Sequence, residues 1–116
     1  MTREFIMMPE FDKQWQNLGL NDDELRELQE VLLGNPKAGK VIRGTKGLRK
    51  MRIAFGGQGK SGSGRVAYVD FTVHETIFLI TAYSKNEKDT LSKAERNAIS
   101  KMIVSLGQGI KTGELK

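Results

Sequence analysis

Leu48-Arg49-Lys50-Met51-Arg52-Ile53-Ala54-Phe55 alternates as a strand does. Successive side chains of a strand leave opposite faces. Met51, Ile53 and Phe55 therefore share one face, and Lys50, Arg52 and Ala54 the other. A glycine-rich run at 56–64 connects this segment to a second extended one at 65–73, and His74-Glu75 turns the chain into a third at 76–83. The third is apolar at nearly every position, which is the composition of a central strand covered on both faces. Three extended segments joined in this way predict an antiparallel sheet.

Outward from the sheet the pattern is helical. Residues 3–8 form a short segment with an apolar middle, ended by Pro9, and read as an edge strand. Phe11, Trp15 and Leu18 recur at spacings of four and three in a helix that Gly19 stops. Asn21 with Glu24 is a capping box, and Leu25, Leu28, Val31 and Leu32 line the helix it opens, up to Gly34-Asn35-Pro36. Residues 41–44 form a brief strand or turn. Downstream, Ser92 with Glu95 is a second capping box, for a helix whose inner face is Ala98, Ile99, Met102, Ile103 and Leu106. The pattern predicts a small α+β fold of order β-α-α-β-β-β-α, an antiparallel sheet with helices packed on one side. Residues 1–106 are expected to form a single domain and 107–116 a flexible C-terminal tail.

With 116 residues the chain is one domain in size. Its longest apolar run, 76–83, is far short of the roughly 20 residues of a membrane span, and no secretory leader is visible, so a cytoplasmic protein is expected. It has no cysteine and one histidine, His74. Disulfides, thiolate metal sites and cysteine nucleophiles are thereby excluded, and neither a metal nor a cofactor is expected. The net charge is +5 and unevenly spread: residues 31–69 hold no Asp or Glu and nine cations, leaving ten cations against 14 anions elsewhere. An ordinary solvated surface mixes both signs. A long acid-free stretch points to a polyanion, most often nucleic acid, or to an acidic protein.

Several candidates compete for the chemistry. Residues 54–61 satisfy a relaxed phosphate-binding loop, A-x-x-x-x-G-K-S, but such a loop must feed a helix. Here it runs into the β-branched strand at Arg65, so a hairpin loop is the simpler reading, with Lys60 available to grip a backbone phosphate. Lys50 and Arg52 leave the same face of one strand, and Arg65 opens the next, so three cations converge. Such cations often only solvate a sheet or guard its edge; their convergence in an acid-free segment favours a phosphate site. Tyr83 offers either a base-stacking ring or half-buried packing, and Lys85 and Lys88 either phosphate contacts or solvated charge. Trp15 reads as core, His74 as a turn residue, and the acid-rich residues 22–30 as a solvated face.

Three blocks carry a resemblance: Gly44-Thr45-Lys46-Gly47-Leu48-Arg49-Lys50-Met51-Arg52, then Gly59-Lys60-Ser61-Gly62 leading to Arg65-Val66-Ala67-Tyr68, then Thr81-Ala82-Tyr83-Ser84-Lys85-Asn86-Glu87. Their order and spacing over residues 35–106 resemble the HigB branch of the RelE/ParE toxin superfamily. The resemblance implies a RelE-like fold and a toxin of a type II toxin–antitoxin pair. It implies an endoribonuclease that enters the ribosomal A site and cuts mRNA there without a metal. A cognate antitoxin neutralises such toxins, operator DNA is met only through the antitoxin complex, and no membrane is involved.

RNA cleavage without a metal uses the 2′-hydroxyl as nucleophile, and needs a base, cations for the transition state and an acid for the leaving 5′-oxygen. By resemblance Lys50 is the base and Arg52 and Arg65 brace the phosphate oxygens. Lys85 or Lys88 contacts RNA or supplies the leaving-group proton, and Lys46, Arg49 and Lys60 contact RNA or ribosome. Some relatives carry a histidine, or an arginine with a tyrosine, late in the chain; here Leu91 falls about where that tyrosine would be, with Tyr83 or Tyr68 as substitutes. Two other readings use the same residues: a ParE-like inhibitor of DNA gyrase that cleaves nothing, and a non-catalytic nucleic-acid-binding regulator.

Overall fold

Pro9 divides the first strand from the first helix. Its ring fixes φ and it has no amide to donate, which suits the first position of a helix. In the computed structural model, which describes residues 3–54, 63–84 and 91–112, β1 (Glu4–Met7) ends just before Pro9 and α1 (Pro9–Asn17) begins on it. Phe11 and Trp15 stack with centroids 5.2 Å apart and are buried. Gly19 takes φ +77°, the left-handed conformation that releases the chain from a helix. The capping box of α2 (Asp22–Gly34) is reciprocal: Glu24 N donates to Asn21 Oδ1 at 2.9 Å and Asn21 N to Glu24 Oε1 at 3.0 Å. Ser92 and Glu95 do the same ahead of α3 (Lys93–Thr112).

β2 (Lys40–Val41), β3 (Arg49–Ala54), β4 (Ser63–Phe71) and β5 (Thr76–Ser84) complete a five-stranded sheet of order β1-β5-β4-β3-β2. The pairs β2·β3, β3·β4 and β4·β5 are antiparallel, as the short connections require. The sheet is antiparallel as expected except at one edge, where β1 pairs parallel to β5. These two strands are distant in sequence, and no local pattern sets their relative direction. Arg3 ties this edge inward: its Nε donates to Asp70 Oδ1 at 2.9 Å and its Nη2 to Oδ2 at 3.3 Å, reaching over β5 to β4. The bond raises the Arg3 pKa further above its ordinary value.

The helices do not share one side, as the sequence reading expected. α1 and α2 cover one face, with Phe11, Trp15, Leu28 and Leu32 against Val66, Tyr68, Ile77 and Leu79. α3 covers the other, with Ile99, Ile103 and Leu106 against Ala67, Val69, Phe78 and Ile80. The reason lies in β4 and β5, where both alternating sets of side chains are apolar and both faces must be withdrawn from water. α3 also continues past Gly107 to Thr112, so the expected tail is helical over its first six residues. Gly107 lies against Phe71, where a Cβ would meet Cε1 at 3.3 Å, and Ile110 extends the apolar stripe onto the same cluster.

One irregularity governs the far end of β5. Ala67 pairs with Thr81 but Tyr68 pairs with Leu79, so Ile80 is an extra residue, a β-bulge. Phe78 and Ile80 face α3; beyond the bulge the alternation is offset, and Tyr83 faces α3 while Ala82 faces α1 and α2.

Candidate nucleic-acid interface

Register brings the cations together. Lys40 is the cross-strand partner of Lys50, and Arg52 that of Arg65. Partners across an antiparallel pair project from the same face, and Lys50 pairs next with Ala67, which belongs to the α3 face. The four cations thus project from the α3 side of the sheet, at its β2–β3–β4 end. A half-open cavity of about 440 Å³ lies among them, lined by Ala38, Lys40, Lys50, Met51, Arg52 and Arg65. None of these lining residues is acidic.

Each cation is presented differently. Arg65 is buried at 7 % exposure, and its Nη1 donates to Gly64 O at 3.1 Å, which holds the guanidinium close to the sheet. Lys50 is half-buried, whereas Lys40 and Arg52 are exposed. Burial and a backbone bond fix Arg65; the exposed pair can adjust to a ligand. Planar guanidinium forks match phosphate oxygens bidentately, and lysine ammoniums act as point charges. The geometry can bind a phosphodiester and stabilise extra negative charge on it.

The other sequence candidates are placed less directly. Arg49 is set on the opposite face, as the partner of Tyr68, and its Nη1 donates to Gly39 O at 2.7 Å. It serves there as a strut for residues 36–39. Lys46 is exposed with φ +62° in the turn between β2 and β3, away from the cavity lining. Tyr83 neighbours Arg65 across β4 and β5 but is 3 % exposed, packed in the α3 cluster with Leu91, so its ring is core and not an open stacking platform. Trp15 is core as expected, its Nε1 donating to Asn21 O at 3.1 Å. His74 closes a 3₁₀ turn, Thr72–His74, at the opposite end of β4. Lys60, Lys85 and Lys88 lie outside the described residues. The P-loop-like residues 54–61 are followed by strand β4, not by a helix.

Two residues have roles that the sequence alone does not show. Lys40 is one of the nine cations of residues 31–69, and only the β2 register reveals it as the partner of Lys50. Tyr68 is wholly buried, its Oη donating to Pro36 O at 2.8 Å and accepting from Gly39 N at 2.8 Å. Burial pushes its phenol pKa up, and the bond from Gly39 only partly opposes that. Together Tyr68 and Arg49 hold residues 36–39 against the sheet and so set where Lys40 begins.

Comparison with known proteins supplies the context. Residues 6–115 match the model of a protein family described as the RelE toxin of the RelE/RelB toxin–antitoxin system. Among solved structures, a mutant E. coli toxin RelE in the free state superposes with a TM-score of 0.55 at 17 % identity, covering 76 % of this chain and 88 % of that one. The intact E. coli RelBE toxin–antitoxin complex contains a chain that superposes at 0.51 with 19 % identity, covering 70 % of this chain and 94 % of that one. At these identities the superpositions speak for the fold.

Proposed function

The chain belongs to the RelE toxin family, and from that premise we propose that it is a ribosome-dependent endoribonuclease of HigB type that halts translation by cutting mRNA. The observation that carries the reading is the doubled like-charge pairing, Lys40 with Lys50 and Arg52 with Arg65, around one cavity with no acid among its described lining residues. A sheet gains nothing from such pairs; an RNA phosphate does.

The reaction needs no resident metal. The Lys50 amine takes the proton of the 2′-hydroxyl, and the 2′-oxygen attacks the adjacent phosphorus. A 2′,3′-cyclic phosphate forms as the bond to the 5′-oxygen breaks. Arg52 and Arg65 meet the added negative charge on the non-bridging oxygens. The departing 5′-oxygen takes a proton from Lys85 or Lys88; Tyr83 and Tyr68 are too deeply packed to reach it. Dependence on the ribosome is supported by the scarcity, among the described residues, of exposed aromatic rings that would order a free single strand. By analogy with the E. coli complex, an antitoxin is the neutralising partner, and an acidic segment on it would complement the cationic face.

Purified toxin added to ribosomes translating a defined message should produce cuts within the reading frame, while the same RNA without ribosomes stays intact. Rapid cutting of naked RNA would remove the ribosome from the mechanism. No cutting of either, with loss of DNA supercoiling by gyrase, would replace the nuclease with the gyrase inhibitor.

A further inference from the structure

Lys40 has a better-built setting than an edge lysine needs. Lysines on edge strands commonly guard against aggregation, a task that asks only for exposure. Lys40 instead follows a strap, residues 36–39, that is fixed at three points: Tyr68 Oη to Pro36 O, Gly39 N to Tyr68 Oη, and Arg49 Nη1 to Gly39 O. The strap runs so close to β3 that a Cβ on Gly39 would lie 2.9 Å from Lys50 O and 2.9 Å from Tyr68 Cε1. The backbone carbonyl of the residue assigned as base is therefore the surface against which the segment carrying Lys40 is seated. Lys40 also lines the cavity with Lys50, Arg52 and Arg65.

We propose that Lys40 is a further RNA-contacting residue, which holds the phosphate next to the one braced by Arg52 and Arg65. The inference rests on the nuclease reading and extends it to a site for two consecutive phosphates. Its geometric basis is the strand repeat. Lys40 and Lys50 pair across β2 and β3, and Arg52 and Arg65 across β3 and β4 on the same face, so Lys40 stands about 6.8 Å along the strand direction and one strand spacing, about 4.8 Å, across from Arg52. That step is comparable to the separation of successive phosphates in an extended single strand. With Arg52 and Arg65 on the scissile phosphate, Lys50 lies one strand repeat along β3, on the side where the 2′-hydroxyl is, and Lys40, one strand further across, lies over the neighbouring phosphate. The Lys40 ammonium grips the strand, and its strap keeps that grip in register with the base.

The test is a cycle between protein and RNA charge. Ribosomes are programmed with a message carrying either normal phosphates or one neutral methylphosphonate at the flanking position, and single-turnover cleavage is followed against toxin concentration. Lys40→Ala should raise the half-saturating concentration about fivefold to tenfold and lessen the logarithmic salt slope by about 0.7, the value for one single-strand phosphate contact. The effect falls on half-saturation far more than on the saturated rate, and Lys40→Arg restores it. The methylphosphonate should weaken the wild type to a similar degree and leave Lys40→Ala nearly unaffected, because the two changes remove one interaction. Additive losses would overturn the assignment, as would wild-type half-saturation in Lys40→Ala. A fall in the saturated rate as large as that of Lys50→Ala would overturn it too, by moving Lys40 into the chemistry. If the wild type cuts neither message, the nuclease reading fails and this inference with it.

Discussion

Arg52 and Arg65 face each other directly across β3 and β4, two cations on neighbouring strands with one side of the sheet in common. Opposed like charges weaken a strand pair. The sheet carries that cost where its cavity lies, and a bound anion would reverse its sign. Stability and function therefore pull apart at these positions.

Arg52→Gln should for that reason stabilise the free protein slightly, by roughly 0.2–1 kcal/mol, while slowing cleavage. Urea melts at low and high salt measure this; the gain should shrink as salt screens the wild-type repulsion. A variant less stable than wild type at low salt would show that the pair is not repulsive.

Lys50→Ala should lower the single-turnover rate about 10²-fold or more, the usual range for losing an acid–base group. Ribosome affinity should fall by much less, because the electrostatic attraction is spread over many cations. Folding should survive, since Lys50 faces the cavity while Met51 and Ile53 pack on the α1–α2 side. Wild-type cutting by this variant would withdraw the base assignment.

Tyr68→Phe keeps the ring and removes the oxygen that partners Pro36 O and Gly39 N. Leaving buried backbone groups unsatisfied should cost about 1–3 kcal/mol. The phenol's folded pKa lies above its unfolded value near about 10. The neutral form is thus favoured by folding, and this contribution is fully present below about pH 10 and lost as pH rises through the folded value. Wild type should lose more stability than Tyr68→Phe when urea melts are taken above pH 10 and compared with pH 8. Parallel losses in the two proteins would contradict the buried neutral phenol.

Gly39→Ala should lift the strap from β3, because the new Cβ meets a backbone carbonyl and a fixed ring. Half-saturation for cleavage should rise at least as much as in Lys40→Ala, with the sheet retained by circular dichroism. Unchanged half-saturation would mean that the strap does not set the position of Lys40.

Much of this molecule was legible from residue order because the interactions concerned are local. Both capping boxes join residues three apart, Gly19 breaks its helix by its own φ, and the doubly apolar run of β5 marks a central strand wherever it is placed. The convergence of Lys50, Arg52 and Arg65 followed from strand alternation and a hairpin. Alternation also puts Arg49 on the opposite face from Lys50, although charge alone grouped it with the cluster.

Other features needed the assembled sheet. The same doubly apolar β4 and β5 demand cover on both faces, but which helix takes which face depends on the chain's path in space, and so does the parallel approach of β1. Lys40 joins the site only through the register of a two-residue strand, a pairing between segments whose spacing in sequence does not specify it. Tyr83 is the sharpest case. Strict alternation from Ile77 and Leu79 would turn it toward α1 and α2; the extra residue at Ile80 turns it toward α3, beside Arg65. A one-residue bulge inverts the facing of everything beyond it. It arises where two strands must match each other's length and twist, so it belongs to the pairing and not to either strand's own sequence.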